Sequence, residues 1–328
     1  MDETETPTGA VVELLAENLR RRRPLVSTSG AATEEWALGH GLPRGGETVL
    51  YSGRMYQIVP YLASLVDGER RRAARAGKRR LFGTRLTRAS SALARPSLES
   101  RAISNQVPVN VMHLLQEAGV PFGALYEDEL YSGTLAYDLD MEDVVVEHAE
   151  ALHAVFKKHG VRRVITIDPH TTMMLRTVYP KVLDGYDVEV RNYLEVLAEL
   201  AGDVSHGPDP ATSAAKGIAI HDSCVLARDE GVIDAPRLLL RGAGVTVRDP
   251  ENARSETFCC GGPLKSLDPS VGDQYAAKRV VQLRAVSQFA TTSCPFCYAS
   301  LRGAVTDDLN VTDISFYLRR AQVAATLV

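Results

Sequence analysis

No cysteine occurs in the first 223 residues of this 328-residue chain, and all five fall between Cys224 and Cys297. Nothing upstream can therefore supply a thiolate, and an odd total excludes simple pairing of the whole set. No apolar run approaches the ~18 residues that a membrane span needs. The acidic start, Met1-Asp2-Glu3-Thr4-Glu5, is wrong for a signal peptide. Charge of one sign is also lacking: a net charge of −4 and a pI near 6.1 give no global reason to expect nucleic acid as a partner. A dinucleotide fingerprint is absent, because Gly242-Ala243-Gly244 lacks the third glycine and follows a helical stretch rather than a strand. The expectation is a cytoplasmic chain without a membrane span of its own, in a reducing compartment where late cysteines are ligands or redox thiols.

With 45% hydrophobic residues the chain can bury one large core or two modest ones, and its length favours two domains. Local charge is uneven. Arg20 to Arg23 are consecutive arginines, and Arg70, Arg71, Arg72, Arg75, Lys78, Arg79 and Arg80 form a second run. These read as solvated helix faces or an exposed insertion in preference to a docking patch for an acidic partner.

A weak internal repeat runs through the chain with its elements in the same order. Glu47–Tyr51 reads as a buried strand and matches Lys216–Ile220. Leu114–Val120, a helix end with a Gly stop entering a strand, matches Leu239–Val245. The amphipathic stretch Val144–Gly160 followed by Val161–Ile167 matches Gln274–Val286 followed by Phe289–Ser293, each a helix then a strand. Strands alternating with helices of about a dozen residues predict an α/β fold of parallel βα units in two lobes. The expected boundaries are a helical arm or linker over 1–45, a first lobe over 46–205 with an insertion at about 70–96, and a second lobe over 206–328. In the arm, Val11, Val12, Leu14, Leu15 and Leu19 have helical spacing and Pro24 ends the run.

Cys224 is followed after 34 residues by Cys259-Cys260, and after another 33 by Cys294-Pro295-Phe296-Cys297. Sulfurs converging in one late segment point to a soft-metal site. Gly261-Gly262 lets backbone approach a bulky inorganic group, and Cys-x-x-Cys is a two-ligand clip on a turn. Aligned on the repeat, Cys224 faces Arg54, Cys259-Cys260 face Leu130-Tyr131, and the Cys294–Cys297 turn faces Asp168-Pro169-His170-Thr171. The scaffold is duplicated but the metal site is single. Asp168 and His170 have no third metal ligand placed by sequence, and Met173-Met174 reads as core.

The segments His221-Asp222-Ser223-Cys224, Cys259-Cys260-Gly261-Gly262 and Ser293-Cys294-Pro295-Phe296-Cys297-Tyr298 resemble the cysteine-rich CCG domain found in the B and D subunits of heterodisulfide reductase. The iron–sulfur subunit of glycolate oxidase carries related domains. The resemblance covers residue 45 to the C-terminus and implies two tandem CCG-type lobes, the first degenerate. It implies Cys224, Cys259, Cys260, Cys294 and Cys297 as ligands of one [4Fe–4S] centre of the non-cubane type, with Gly261, Gly262 and Pro295 around it. This chain departs from the family pattern in having Ser223 where a proline is usual, in the missing cysteines of the first copy, and in lacking a Cys-x2-Cys-x2-Cys-x3-Cys ferredoxin module upstream.

The implied activity is that of an oxidoreductase subunit that transfers electrons, either reducing a disulfide or a related small substrate at the cluster or serving only as an electron relay. The implied partner is a flavoprotein or ferredoxin-like electron donor, through which the chain can associate with a membrane. His221 is a candidate proton donor next to the cluster and Asp222 its orienting carboxylate. Arg54, Tyr131, Asp168 and His170 are candidates for a substrate pocket at the emptied position. Two alternatives use the same cysteines: a structural zinc site, for which a fifth sulfur is superfluous, and a dithiol oxidoreductase acting through Cys294 and Cys297.

Overall fold

The computed structural model describes residues 7–20, 34–76, 96–202, 217–305 and 308–326. The first half comprises α1 (Pro7–Arg20), β1 (Thr48–Tyr51), α2 (Met55–Ala76), α3 (Leu98–Glu117), α4 (Thr134–Asp138), α5 (Glu142–Lys158), β2 (Arg163–Thr166), α6 (Pro169–Met173), β3 (Glu189–Asn192) and α7 (Tyr193–Ala201). The second comprises β4 (Ile218–Ile220), α8 (Asp234–Gly242), β5 (Val247–Arg248), α9 (Leu264–Leu267), α10 (Pro269–Val286), β6 (Phe289–Thr292), α11 (Pro295–Ala304), β7 (Asn310–Asp313) and α12 (Ile314–Thr326).

Every strand pairing is parallel, in two sheets of order β1-β2-β3 and β5-β4-β6-β7. A parallel bridge from Val49 to Gly123 sets a rudimentary strand beside β1, in the place that β5 holds beside β4. The α/β expectation is met, and the four strands read from the repeat are β1, β2, β4 and β6. The stretch after Gly119 forms only that bridge, whereas its counterpart after Gly244 is the two-residue β5. In parallel sheets the loops at the carboxyl ends of the strands collect on one side, which is where such folds bind ligands. Arg54, Asp168-Pro169-His170-Thr171, Cys224 and Cys294 to Cys297 all follow the carboxyl ends of β1, β2, β4 and β6.

The arm is helical, and Leu14, Leu15 and Leu19 are buried as their spacing requires. The predicted insertion is part helix: α2 runs through Arg70 and Arg71, both exposed, and residues 77–95 lie outside the described residues. Arg21 to Arg23 and Pro24 also lie outside them. Arg70 pairs with Asp273 at 2.7 Å, so at least this member of the run tethers α2 to α10.

The hydrophobic interior does not divide at residue 206. One cluster joins Val49, Phe156 and Met174 to Val225, with Cys224 and Phe296 packed against it. A second joins Leu115, Ile165 and Tyr193 to Ile220, Leu226 and Ile314. Helix α6 and the π-helical turn Val225–Asp229 after β4 pack against each other, so the carboxyl ends of the two sheets are brought together. Met173 and Met174 are buried core residues.

Candidate metal centre

Each cysteine stands at a strand end or on a loop that glycine shapes. Strand β4 ends at Ile220, and His221-Asp222-Ser223-Cys224 leads into the π-helical turn Val225–Asp229. Strand β6 ends at Thr292, and Cys294 caps α11 with Pro295 in its first turn, where a missing N–H costs nothing. Cys259-Cys260 lie on the loop that enters α9. There Gly261 takes a left-handed φ of +72°, and a Cβ on it would lie 2.4 Å from the Gly272 carbonyl oxygen. Only glycine fits that turn.

The five thiols are free and lie close enough to perturb one another's ionisation, Cys224 with Cys259, Cys259 with Cys260 and Cys294 with Cys297, while Cys260 hydrogen-bonds Cys297. The Cys260 and Cys297 sulfurs are 3.2 Å apart, well beyond the ~2.05 Å of a disulfide. The Gly261 and Gly262 amides donate to the Cys259 and Cys260 sulfurs at 3.3 and 3.4 Å. Hydrogen bonds from Cys224 and Cys260 pull the Cys259 thiol far down. At Cys294 burial opposes ionisation, but hydrogen bonds from Cys297 and His170 outweigh it, and the thiol is held well below its ordinary range. Interaction with neighbouring thiols first, and burial with it, push the Cys224, Cys260 and Cys297 thiols up, so that these three keep their protons. Thiols crowded together in this way share too few charges to ionise as a group, and a cation among them removes the conflict.

His221 adds nitrogen to the set, since ligand atoms of His221, Cys260 and Cys297 lie within 4.8 Å of one another. Its Nδ1 accepts from the Arg279 Nε at 3.0 Å, while Nε2 is buried without a partner. Burial first, and then the Arg279 charge, lower its pKa to about 3. A neutral ring that accepts at Nδ1 carries its proton on Nε2, so His221 is a donor rather than a ligand. Arg279 is itself fully buried and fixed by the Glu251 and Asn252 carbonyls at 2.8 and 3.0 Å.

Asp222 does not orient His221. Its carboxylate receives two hydrogen bonds from Arg237, at 2.7 and 2.8 Å, and one from the Arg254 amide at 2.7 Å. Asp222 and Arg237 form a buried ion pair that braces the loop before Cys224, and breaking such a pair costs about 3–5 kcal/mol. Arg279 takes the orienting role expected of Asp222. It is legible in part from sequence: position 279 continues the buried stripe of Ala276 and Leu283 along α10, an unusual place for an arginine.

The first half reaches the thiols through His170. Its ring packs edge-on against Phe296, with centroids 4.9 Å apart, and hydrogen-bonds Cys294. Burial would strip the ring of its proton, but the bond to the ionised Cys294 raises its pKa to about 9. Asp168 caps α6 by accepting from the Thr171 amide at 3.0 Å, and burial raises its pKa to about 6. The Tyr131 hydroxyl accepts from the Leu135 amide at 2.9 Å, and the ring lines a cavity shared with Gly262 and Phe296. Arg54 turns elsewhere: its backbone is left-handed at φ 59° and its guanidinium donates to the Glu127 carbonyl at 3.3 Å. The structure thus brings His170 to the thiols and Tyr131 to the adjoining cavity, with Asp168 behind them and Arg54 outside the group.

The donor set fits an iron–sulfur cluster. Five thiols exceed the four that tetrahedral zinc takes. The two glycine amides already donate to thiol sulfurs that would hold a cluster, and the unpartnered His221 Nε2–H would be available to donate to it.

Residues 218–302 match the family model of the CCG cysteine-rich domain. Over 203 residues the chain is 34% identical to a probable iron-sulfur-binding oxidoreductase, FadF, of Bacillus subtilis, a match covering 60% of this chain and 28% of the relative. It is 32% identical to an EtfAB:quinone oxidoreductase of Syntrophomonas wolfei, covering 60% of this chain and 28% of that one. Identity to the D subunit of the dihydromethanophenazine:CoB–CoM heterodisulfide reductase of Methanosarcina mazei is 27%, over 61% and 51% of the two chains. The chain thus spans between 28% and 51% of the length of these curated relatives. The cysteines thus lie within a stretch that matches the CCG cysteine-rich domain, in a chain similar to iron–sulfur oxidoreductases.

Proposed function

We propose that this chain is an electron-transferring oxidoreductase subunit whose single iron–sulfur centre is held by Cys224, Cys259, Cys260, Cys294 and Cys297. The observation that carries this reading is the gathering of all five thiols, from the carboxyl ends of β4 and β6 and the loop that enters α9, into one cluster within the matched domain. An iron–sulfur cluster passes electrons singly between a donor and an acceptor. The protein's own contribution is to bury the ligands, donate from the Gly261 and Gly262 amides, and hold the His221 proton on Nε2. The two sheets are read as tandem lobes divided near residue 206, the first having lost its ligands and kept its scaffold.

The centre is of the non-cubane [4Fe–4S] type, and the substrate is a disulfide or a related small molecule, as the name of the heterodisulfide reductase relative suggests. Electrons arrive from a separate flavoprotein or ferredoxin-like donor, a reading favoured by the relative named for EtfAB. Dithiol exchange through Cys294 and Cys297 is disfavoured by burial: they are 0% and 2% exposed, and exchange needs a sulfur that another sulfur can approach. Metal and sulfide analysis after anaerobic purification tests the reading. Iron with matching acid-labile sulfide is expected, and stoichiometric zinc without iron would end it.

A further inference from the structure

An open cavity of about 320 Å3 lies beside the thiols, between α2, the Tyr131–Leu139 stretch, the loop after Cys260 and α11. Leu62, Val66, Leu135, Leu139, Pro263 and Phe296 make its wall largely apolar. What separates it from the ligands is a single glycine. Gly262 lines the cavity, yet a Cβ on it would lie 3.3 Å from the Cys260 sulfur and 3.1 Å from the Phe296 Cβ. A molecule in the cavity is thus one residue's thickness from a ligand sulfur.

The charges at the mouth say which molecules fit. Arg70 and Lys265 line it, and both pair with a single carboxylate, that of Asp273, at 2.7 and 3.0 Å. Asp67 and Asp138 add two carboxylates to the lining. Two cations set against three carboxylates, of which burial pushes that of Asp138 towards its neutral form, leave the mouth no net positive charge to draw an anion, and the apolar wall favours uncharged apolar surface. Its volume lies at the small end of ligand sites, about 300–1,000 Å3, enough for one ring or a short chain.

We propose that this cavity is the substrate site of the centre and that, within the class of disulfides and related small molecules proposed above, it takes a neutral, largely apolar molecule in preference to a charged disulfide. Tyr131 and Gly262 both line the cavity, and on the repeat Leu130-Tyr131 align with Cys259-Cys260, so an aromatic side chain stands at the position equivalent to a thiol. The proposal rests on the iron–sulfur reading only for what the bound molecule does, not for whether it binds.

Equilibrium dialysis of the purified chain against duroquinone, a neutral ring that does not alkylate thiols, and against anionic glutathione disulfide tests it. Duroquinone should bind saturably at one site, and glutathione disulfide at least about tenfold more weakly. Ala63→Phe on α2, which fills the cavity away from the cysteine loops, should weaken duroquinone about tenfold while thermal melting and metal content stay as in the parent. Tighter binding of glutathione disulfide would overturn the ligand class. Duroquinone binding that is absent, or indifferent to Ala63→Phe in a folded variant, would overturn the site. Metal and sulfide content measured on the same samples reports separately on the iron–sulfur reading.

Discussion

His221 is the residue whose chemistry is most tightly fixed by its neighbours. Arg279 holds Nδ1 as an acceptor, which leaves the Nε2 proton for the sulfur-rich space next to Cys260 and Cys297. A donor aimed at a cluster favours the reduced, more negative state and raises the reduction potential. Redox titration should therefore give a lower midpoint potential for His221→Leu, with recovery in His221→Gln, whose amide can still donate. Equal potentials in all three proteins would remove the donor role. A second buried group gives a pH signature. Glu129 accepts from the Ser52 hydroxyl at 2.5 Å, yet burial raises its pKa from 4.5 to about 7. The folded state then holds a proton that the unfolded state releases between those values, so this residue's effect on stability is lost as pH rises through them. Urea unfolding at pH 4.5 and pH 7.5 should show a smaller pH-dependent loss in Glu129→Gln than in the parent. Identical losses would show that Glu129 ionises as freely folded as unfolded.

Among the elements, the loops after the strands do the positioning, and their geometry is exacting at Gly261. Gly261→Ala forces both a left-handed Cβ and a clash with the Gly272 carbonyl, a strain of roughly 1–3 kcal/mol that only a shift of the Cys259-Cys260 loop relieves. The variant should lose most of its iron on desalting, whereas Gly242→Ala, with open space around it at the end of α8, should keep it. Equal retention would mean that the loop tolerates displacement. The Cys-Cys-Gly-Gly run makes this loop legible from sequence, as do the apolar runs of β1, β2, β4 and β6 for those strands. Strands β3 and β7 are not legible. Both are four residues long with the same half-exposed alternation, Glu189-Val190-Arg191-Asn192 and Asn310-Val311-Thr312-Asp313, and neither has the apolar content that marks a buried strand. Their last residues then turn to helix work: Asn192 caps α7 and Asp313 accepts from the Ser315 amide.

For the whole molecule, the two halves are one interior with two sheet ends facing each other, and the half without cysteine supplies His170 to Cys294 and Tyr131 to the cavity. That joining cannot be read from the repeat, because spacing aligns equivalent positions without showing that they meet. For the same reason Arg54, equivalent to Cys224, groups with the others in sequence and stands apart in space. Asp222 misleads because it adjoins His221 in sequence, whereas two distant arginines divide the pair, one taking the carboxylate and the other the ring. The five cysteines that the structure brings together are legible from their intervals in the sequence. The central claim is one five-thiolate iron–sulfur centre beside an emptied twin. Electron paramagnetic resonance with spin counting on the anaerobically purified chain, set against its iron content, tests it most directly. The account predicts about four irons and a single paramagnetic centre per chain, with the signal altered in Cys259→Ser and in Cys260→Ser. A signal unchanged in both variants, or two centres per chain, would contradict it.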